Sequence, residues 1–182
     1  NIKILDMGSG SGIQATTAMR AGIERKNILC ADIDKEAIAF LKKSGLNRVH
    51  SNLFSKIKKM PKTFSVSQNL QRSKQRVLNQ DFKIKNKYSL IIFNAPYLPE
   101  DKYDKEIDTT AGKKGYEIII KFLKQAKQHL EKEGVILLLF SSLSKPNIIL
   151  KQAKKLGYNS EKLSEENMGM METIFVYRFS KN

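Results

Sequence analysis

The sequence predicts an α/β fold with an open, mostly parallel sheet of seven strands, helices on both faces and an antiparallel last strand. Three observations predict it. Short apolar runs alternate with amphipathic helical segments along the chain. A glycine-rich turn follows the first apolar run, as in α/β proteins that bind a ligand with their backbone. The last two strands have no long helix between them, which favours an antiparallel final strand.

Each predicted strand is a short apolar run that is followed by a turn residue or an acidic residue. The clearest are residues 3–7, 88–93 and 172–179, and the weakest begins at Gly157 and Tyr158. The complete set is residues 3–7, 27–31, 46–50, 88–93, 135–140, a weak strand that begins at residues 157–158, and 172–179.

Four segments have apolar side chains at helical spacing, namely residues 11–21, 35–43, 115–131 and 145–156. Local signals mark several of their ends. Asp34 is the predicted N-cap of the second helix, and Pro146 falls in the first turn of the fourth. Gly22 and Gly45 suit the ends of the first two helices, and Gly134 is expected to open the strand after the third.

The chain of 182 residues is long enough for one hydrophobic core, and residues 1–182 are predicted to form a single domain. Residues 55–87 interrupt it with ten basic residues and one acid, Asp81. We interpret this stretch as an insertion, partly helical around residues 67–78 and partly flexible. Because the chain enters a strand just after Asn1, we also expect an N-terminal segment to be missing.

The formal net charge is +15, from 33 Lys and Arg against 18 Asp and Glu. Such a charge favours contact with nucleic acid or a ribosome through residues 55–87. A Lys-rich composition that raises charge everywhere is the simpler explanation, since only 6 of the 33 basic residues are Arg. The single cysteine, Cys30, and the spacing of His50 and His129 argue against a metal site. A cytoplasmic protein is expected, because no membrane span or signal peptide is evident.

The turn after the first strand reads Asp6-Met7-Gly8-Ser9-Gly10-Ser11-Gly12. Glycine at alternate positions permits a tight turn and close backbone approach to a ligand. A dinucleotide fingerprint needs a third glycine one position later, where Ile13 stands, and the Asp6 carboxylate would repel a pyrophosphate. The same carboxylate suits a ligand that carries an ammonium group.

Asp32 ends the second strand, where an acid accepts the hydroxyl groups of a ribose, and Ile33 beside it can pack on a purine. An adenosine that bears an amino acid meets all three demands. The predicted cofactor is therefore S-adenosylmethionine. Helix capping is the alternative role for Asp32, although Asp34 is better placed for it.

A second motif, Asn94-Ala95-Pro96-Tyr97, follows the strand at residues 88–93, which is expected to lie beside the first strand. The Asn94 side chain and the Ala95 backbone each offer a carbonyl, Pro96 gives a rigid bend, and Tyr97 gives an aromatic face. This set can hold a flat NH₂ group by two acceptors and stacking. A turn that merely ends a strand is the alternative.

With these motifs, the chain resembles class I S-adenosylmethionine-dependent methyltransferases with a Rossmann-like fold and an Asn-Pro-Pro-Tyr motif. It is most similar to the archaeal and eukaryotic branch of the HemK-like glutamine methyltransferases. The resemblance assigns Asp6, Gly8, Ser9, Gly10, Gly12, Asp32, Ile33, Asn52, Leu53 and Asn94 to the cofactor and Asn94, Ala95, Pro96 and Tyr97 to catalysis. Residues 111–115 also follow in family order. Two positions depart from the pattern: Ala95 replaces the first proline, and Asn52 stands where the family often has an acid.

The resemblance implies N5-methylation of the glutamine in the Gly-Gly-Gln loop of a translation release factor. It also implies a small zinc-ribbon activator at the edge of the third strand. The rival hypothesis is an adenine-N6 or related nucleic-acid methyltransferase, because an exocyclic base amine poses the same chemical problem and the chain is basic. A binding protein that has lost its site is less well supported, since both motifs are present.

Overall fold

The computed structural model describes residues 2–57, 87–96, 115–169 and 172–182. Seven strands lie at Ile4–Met7 (β1), Ile28–Asp32 (β2), Arg48–His50 (β3), Tyr88–Asn94 (β4), Leu130–Ser141 (β5), Tyr158–Gly169 (β6) and Glu172–Lys181 (β7). Four α-helices lie at Ile13–Arg20 (α1), Lys35–Lys43 (α2), Glu117–His129 (α3) and Pro146–Lys155 (α4). Short 3₁₀ helices occupy Arg25–Asn27 and Ser142–Ser144. No described helix is long and apolar enough to cross a membrane.

The strands form one sheet in the order β3-β2-β1-β4-β5-β7-β6. The first five strands pair in parallel, whereas β7 is antiparallel to both β5 and β6. The predicted fold class and the antiparallel last strand are therefore confirmed. Strand order reverses between β1 and β4, so a crevice opens beyond the carboxyl ends of these two strands, where α/β sheets bind ligands.

Helices cover the sheet from both sides. On one face, Leu41 of α2 and Ala15 of α1 pack against Ile4, Ile28 and Cys30. On the other face, α3 and α4 bury Phe122, Leu123, Ile149 and their neighbours against the alternate residues of the same strands. This second core also contains Leu53, Phe54 and Ile57, which follow β3. Burial on both faces explains why β1 and β2 are continuous apolar runs.

One strand prediction is wrong in extent. Gly134 does not open β5, which already begins at Leu130; the glycine lies inside the strand, next to an irregularity in the β4–β5 register. A Cβ on Gly134 would come within 2.8 Å of the Tyr88 carbonyl oxygen, so this close approach requires glycine. The weak strand predicted to begin at Gly157 and Tyr158 is confirmed: β6 begins at Tyr158 and continues for 12 residues paired with β7, although most of its side chains are exposed.

The helix predictions agree with the structure to within two residues at either end. Asp34 caps α2 by accepting hydrogen bonds from the amides of Glu36 and Ala37, both at 2.9 Å, and Pro146 is the first residue of α4. Residues 58–86, which hold nearly all of the basic insertion and its predicted helix at 67–78, lie outside the described residues. Residues 97–114 also lie outside them, including Tyr97 and most of the 111–115 segment.

Candidate active site at the switch point

The glycine turn after β1 is tied to the end of β2 by its backbone. The amide of Gly8 donates to the carbonyl oxygen of Ala31 at 2.8 Å, and the amide of Gly12 donates to that of Ser9 at 2.7 Å. Gly8, Gly10 and Gly12 have φ angles of 63°, 49° and 76°, which side chains rarely adopt. The alternate glycines are therefore explained by a turn with three left-handed residues.

The three glycines differ in what surrounds them. A Cβ on Gly12 would lie 2.7 Å from Leu46 and 2.8 Å from Leu41, so this position is closed by the core. A Cβ on Gly8 would lie 3.3 Å from the Phe93 ring and 3.7 Å from the Asn94 carbonyl oxygen, whereas Gly10 has open space around it. The turn thus packs against α2 at Gly12, meets the end of β4 at Gly8 and stays accessible at Gly10.

Asp6 is a buried carboxylic acid at the end of β1, only 1% exposed. Its Oδ2 atom has no hydrogen-bond partner among the described residues. Burial raises the pKa of Asp6 to about 7, and the charge of Asp32 adds to the rise, while hydrogen bonds from the Ala15 amide and the Ser9 side chain oppose it. An oxygen left without a donor in the protein is suited to a cationic ligand group.

Asp32 lies at the end of β2 and joins the two loops beside it. Its Oδ2 accepts from the Gly10 amide at 2.8 Å, and its Oδ1 accepts from the Asp34 amide at 2.9 Å. Asp34, and not Asp32, caps the following helix. Each carboxylate oxygen keeps a further lone pair, so Asp32 can still accept hydroxyl hydrogens. Ile33 is next to it and 40% exposed, which leaves an apolar side chain at the same rim.

The loop after β3 is held by a residue that the sequence analysis missed. Ser51 is buried; its hydroxyl donates to the Leu53 carbonyl at 2.7 Å and accepts from the Lys56 amide at 3.0 Å. Leu53 has φ of 48°, a strained value for a side chain that is not glycine, and its side chain packs into the core. Asn52 is exposed beside it. The Leu53 side chain is therefore turned away from any ligand. A serine just after a strand gave no sequence signal of the role that Ser51 has here.

The second motif stands at the end of β4. Asn94 pairs in register with Leu139 and is exposed, whereas Ala95 is buried and donates its amide to the Leu139 carbonyl at 3.3 Å. Pro96 is half-buried. The motif is thus anchored to β5, and the backbone carbonyl oxygen of the exposed Asn94 lies next to Gly8. Tyr97 is not among the described residues.

Other reactive groups near the turn are structural. Cys30 pairs in register with Asp6 and is buried, which raises the pKa of its thiol to about 12, with a further contribution from the charge of Asp6. A thiol with that pKa is not a nucleophile at neutral pH. The described residues contain no group of three or more potential ligands that could hold a metal ion.

The sequence matches a known protein family over most of its length. Residues 26–167, more than half of the chain, match the family described as Eco57I restriction-modification methylase. The chain belongs to this family. It is a class I S-adenosylmethionine-dependent methyltransferase, in agreement with the resemblance that the motifs indicate.

Individual relatives have more specific names. A Methanocaldococcus jannaschii protein named as a protein N5-glutamine methyltransferase is 27% identical over 168 residues, which cover 88% of this methyltransferase and 73% of the relative. Methyltransferase HEMK2 of Mus musculus is 27% identical over 184 residues, covering 98% and 77% of the two chains.

Among solved structures, the Mtq2–Trm112 complex of E. cuniculi is described as responsible for the methylation of the eRF1 translation termination factor. Its matching chain superposes with a TM-score of 0.68 at 19% identity, over 100% of this methyltransferase and 87% of that chain. The methyltransferase therefore shares its fold with an enzyme that methylates a protein.

Proposed function

We propose that this methyltransferase transfers a methyl group from S-adenosylmethionine to the side-chain amide nitrogen of a glutamine in a translation release factor. One observation carries the proposal: a Cβ on Gly8 would lie 3.7 Å from the backbone carbonyl oxygen of Asn94, at the end of β4. The cofactor turn and the motif suited to a flat NH₂ group therefore line the same crevice. The name of the M. jannaschii relative supports glutamine as the acceptor, and the description of the E. cuniculi complex supports a release factor as the protein that carries it.

The residues at the crevice fit S-adenosylmethionine. The unpartnered Oδ2 of Asp6 suits the ammonium group of its amino-acid part, and the open space at Gly10 permits close backbone approach. Asp32, Ile33 and Asn52 would hold the ribose and the purine, with Ser9, Gly8 and Gly12 shaping the turn and the Leu53 backbone beside it. The bound cofactor supplies an electrophilic methyl group on a sulfonium.

The chain itself supplies position and charge stabilisation. An amide nitrogen is a poor nucleophile because its lone pair is delocalised into the carbonyl group. The Asn94 side-chain carbonyl and the Ala95 backbone carbonyl would each accept one N–H hydrogen and so aim the lone pair at the methyl carbon. Positioning of this kind contributes about 7–11 kcal/mol in well-oriented reactions, and the two acceptors also stabilise positive charge that develops on nitrogen. The N–C bond would form as the bond between the methyl carbon and sulfur breaks, and the nitrogen would then lose one proton to solvent. Pro96 and Tyr97 would hold the plane of the substrate's glutamine amide in place.

Ala95 supports this role despite replacing the proline of the family pattern. Its carbonyl is retained, and its position is fixed by burial and by the hydrogen bond that its amide donates to the Leu139 carbonyl oxygen at 3.3 Å. A proline would lack that amide hydrogen. The neighbouring strand thus supplies the rigidity that a second proline would otherwise give.

Labelled S-adenosylmethionine tests the acceptor. The protein is incubated with purified release factor, with the same factor carrying Gln→Ala in its Gly-Gly-Gln loop, and separately with RNA and DNA. We expect label in the intact release factor alone. Label in the Gln→Ala factor would show that the methylated residue lies elsewhere on the release factor. Label confined to nucleic acid would overturn the proposal.

The second candidate is methylation of an exocyclic amine in a nucleic-acid base. It is favoured by the family match, whose description is that of a restriction-modification methylase, and by the +15 charge. Residues 55–87 would then contact the phosphate backbone. The nucleic-acid arms of the labelling experiment decide between the two acceptors.

We also propose a small zinc-ribbon activator at the β3 edge of the sheet. Strand β3 is the outermost strand on its side of the sheet formed by the described residues, so within that sheet its outer backbone groups have no strand partner. Phe40 on the adjacent helix α2 is 51% exposed, an apolar side chain that a partner would cover. Expression with and without the activator tests this: the protein alone should be poorly soluble or inactive, and full activity alone would contradict it.

A further inference from the structure

His50 joins the end of β3 to the loop that follows β2. It is the last residue of β3 and pairs in register with Asp32, the last residue of β2. Its ring nitrogen Nε2 lies 2.7 Å from the backbone carbonyl oxygen of Ile33, which is a hydrogen-bonding distance. Because a carbonyl oxygen can only accept, Nε2 carries the hydrogen and donates it. The imidazole therefore connects two neighbouring strand ends through the protein backbone.

A backbone hydrogen bond accompanies this side-chain contact. The amide of Ser51, the residue after His50, donates to the Asp32 carbonyl oxygen at 2.7 Å. Two consecutive residues at the end of β3 thus hold two consecutive carbonyl groups at the end of β2. Beyond this point the chain continues in two separate loops. One leads into α2, and the other runs through Asn52 and Leu53.

The surroundings of this contact give it structural weight. Strand β3 has only three residues, and in the sheet formed by the described residues it pairs with β2 alone. Ile33 is 40% exposed and His50 is only half-buried, so packing in the core restrains neither residue strongly. Segments with few buried contacts open and close easily. A hydrogen bond between the two strand ends therefore restricts how far their loops can separate.

The two aspartates of the β2–α2 loop are held by other groups. The Oδ1 atom of Asp32 accepts from the Asp34 amide at 2.9 Å, its Oδ2 atom accepts from the Gly10 amide at 2.8 Å, and Asp34 caps α2. Ile33 lies between these aspartates, and its carbonyl group is the one that His50 holds. The position of the exposed Ile33 therefore depends on a side chain from β3 as well as on its own loop.

We propose that His50 is a positioning residue for the adenosine part of S-adenosylmethionine. The inference rests on the proposed place of the ribose at Asp32 and of the purine between Ile33 and Asn52, and it does not depend on which acceptor receives the methyl group. His50 fixes the separation of the two loops before the cofactor arrives. The loops then lose less conformational freedom on binding, which raises affinity. The imidazole acts through the Ile33 backbone and has no part in methyl transfer.

Two variants separate the hydrogen bond from the packing of the ring. His50→Phe keeps an aromatic ring and removes the N–H donor, whereas His50→Gln removes the ring and keeps an amide donor of similar reach. Isothermal titration measures binding of S-adenosylmethionine and of methylthioadenosine to each variant. Methylthioadenosine has the adenosine part but neither the ammonium nor the carboxylate group. The pair of ligands therefore reports which part of the cofactor a substitution affects.

Asn47 provides a matched control at the other end of β2. Its Nδ2 atom donates to the carbonyl oxygens of Arg25 at 2.8 Å and Ile28 at 3.2 Å, so it also ties the β3 side of the sheet to the β2 backbone. These contacts lie at the start of β2, away from Asp32 and the cofactor loops. Asn47→Ala therefore removes comparable hydrogen bonds without reaching the proposed site. Circular dichroism and Tm are recorded for every variant.

We expect His50→Phe to weaken both ligands by the same factor, about fivefold to tenfold, because the two ligands share the adenosine part. His50→Gln should restore affinity to within about twofold of the parent protein. Asn47→Ala should lower Tm and leave both affinities unchanged. Asp6→Asn should show the opposite selectivity, weakening S-adenosylmethionine and sparing methylthioadenosine, because only the first ligand carries an ammonium group.

Four results would overturn the proposal. They are unchanged affinities in His50→Phe, an equal loss in His50→Gln, an equal loss in Asn47→Ala, and a loss in His50→Phe that is confined to S-adenosylmethionine. Each measurement uses cofactor binding alone, so a failure here is distinguishable from a failure of the proposed acceptor, which the labelling experiment tests separately.

Discussion

The two strand ends that line the crevice are built differently. At the β1–β2 end, Asp32 and the backbone of the glycine turn hold one another through short hydrogen bonds in a largely buried network. At the β4 end, Asn94 is exposed and its strand is fixed from behind, through the Ala95 amide and Leu139. The β1–β2 end is therefore held mainly by contacts within the protein, whereas the β4 end presents the Asn94 side chain to a ligand that enters the crevice.

This difference predicts that substitutions at the two strand ends affect different properties of the protein. Changes at the β1–β2 end should alter folding and cofactor affinity together, because the same contacts serve both. Changes at Asn94 should alter turnover almost alone, because an exposed side chain contributes little to the core. Four predictions test the contrast, in order of decreasing expected effect.

Asn94→Ala should lower kcat about 10²–10³-fold, because it removes one of the two acceptors for the amide hydrogens. Cofactor affinity and Tm should change little. Single-turnover methylation and calorimetry measure these quantities. Asn94→Gln is the control: the amide is kept but displaced by one methylene, so its activity should also be low. Near-normal rates in Asn94→Ala would contradict the mechanism.

Gly12→Ala should cost about 2–4 kcal/mol of unfolding free energy, because its Cβ would clash with Leu46 and Leu41 at a positive φ. Gly10→Ala is the matched variant, with similar φ and open space around the Cβ; it should cost only about 1 kcal/mol. Its larger effect should be on cofactor affinity, since the methyl enters the space through which a ligand approaches. Urea denaturation and cofactor titration separate the two effects, and equal destabilisation would contradict this distinction.

Asp32→Asn should weaken cofactor binding about 10–100-fold, since it removes a charged acceptor of ligand hydroxyls and weakens the bond from the Gly10 amide. Asp34→Asn is the comparison: an amide still caps a helix, so binding should be near normal. Isothermal titration of both variants provides the readout. Comparable losses would assign the effect of Asp32 to loop structure.

Cofactor binding should depend on pH through Asp6. With its pKa raised to about 7, this carboxyl is protonated below neutrality in the free protein. A ligand ammonium requires the carboxylate, so affinity should rise about tenfold from pH 6 to pH 8 and then level off. The free energy of unfolding should do the reverse, falling as pH rises from about 4 to about 7. Asp6→Asn should flatten both profiles; a pH dependence that survives in Asp6→Asn would contradict the assignment.

Much of this molecule could be predicted from local patterns. The alternation of apolar runs and amphipathic segments predicted all four α-helices and all seven strands, because burial on both sheet faces leaves a continuous apolar signature. Asp34 and Pro146 marked helix ends through capping rules that act over a few residues. The length of β6 was missed, since its side chains are exposed and only its pairing with β7 defines it.

By itself the sequence determined the fold class, the glycine turn and the placement of Asp6, Asp32 and Asn94 at strand ends, because strand polarity alone sends those side chains to one edge. Tertiary structure decided the rest. The close approach of Gly8 to the end of β4 and the hydrogen bond from the Gly10 amide to Asp32 join residues far apart in the chain. Such contacts depend on how elements pack against one another, which no local pattern encodes.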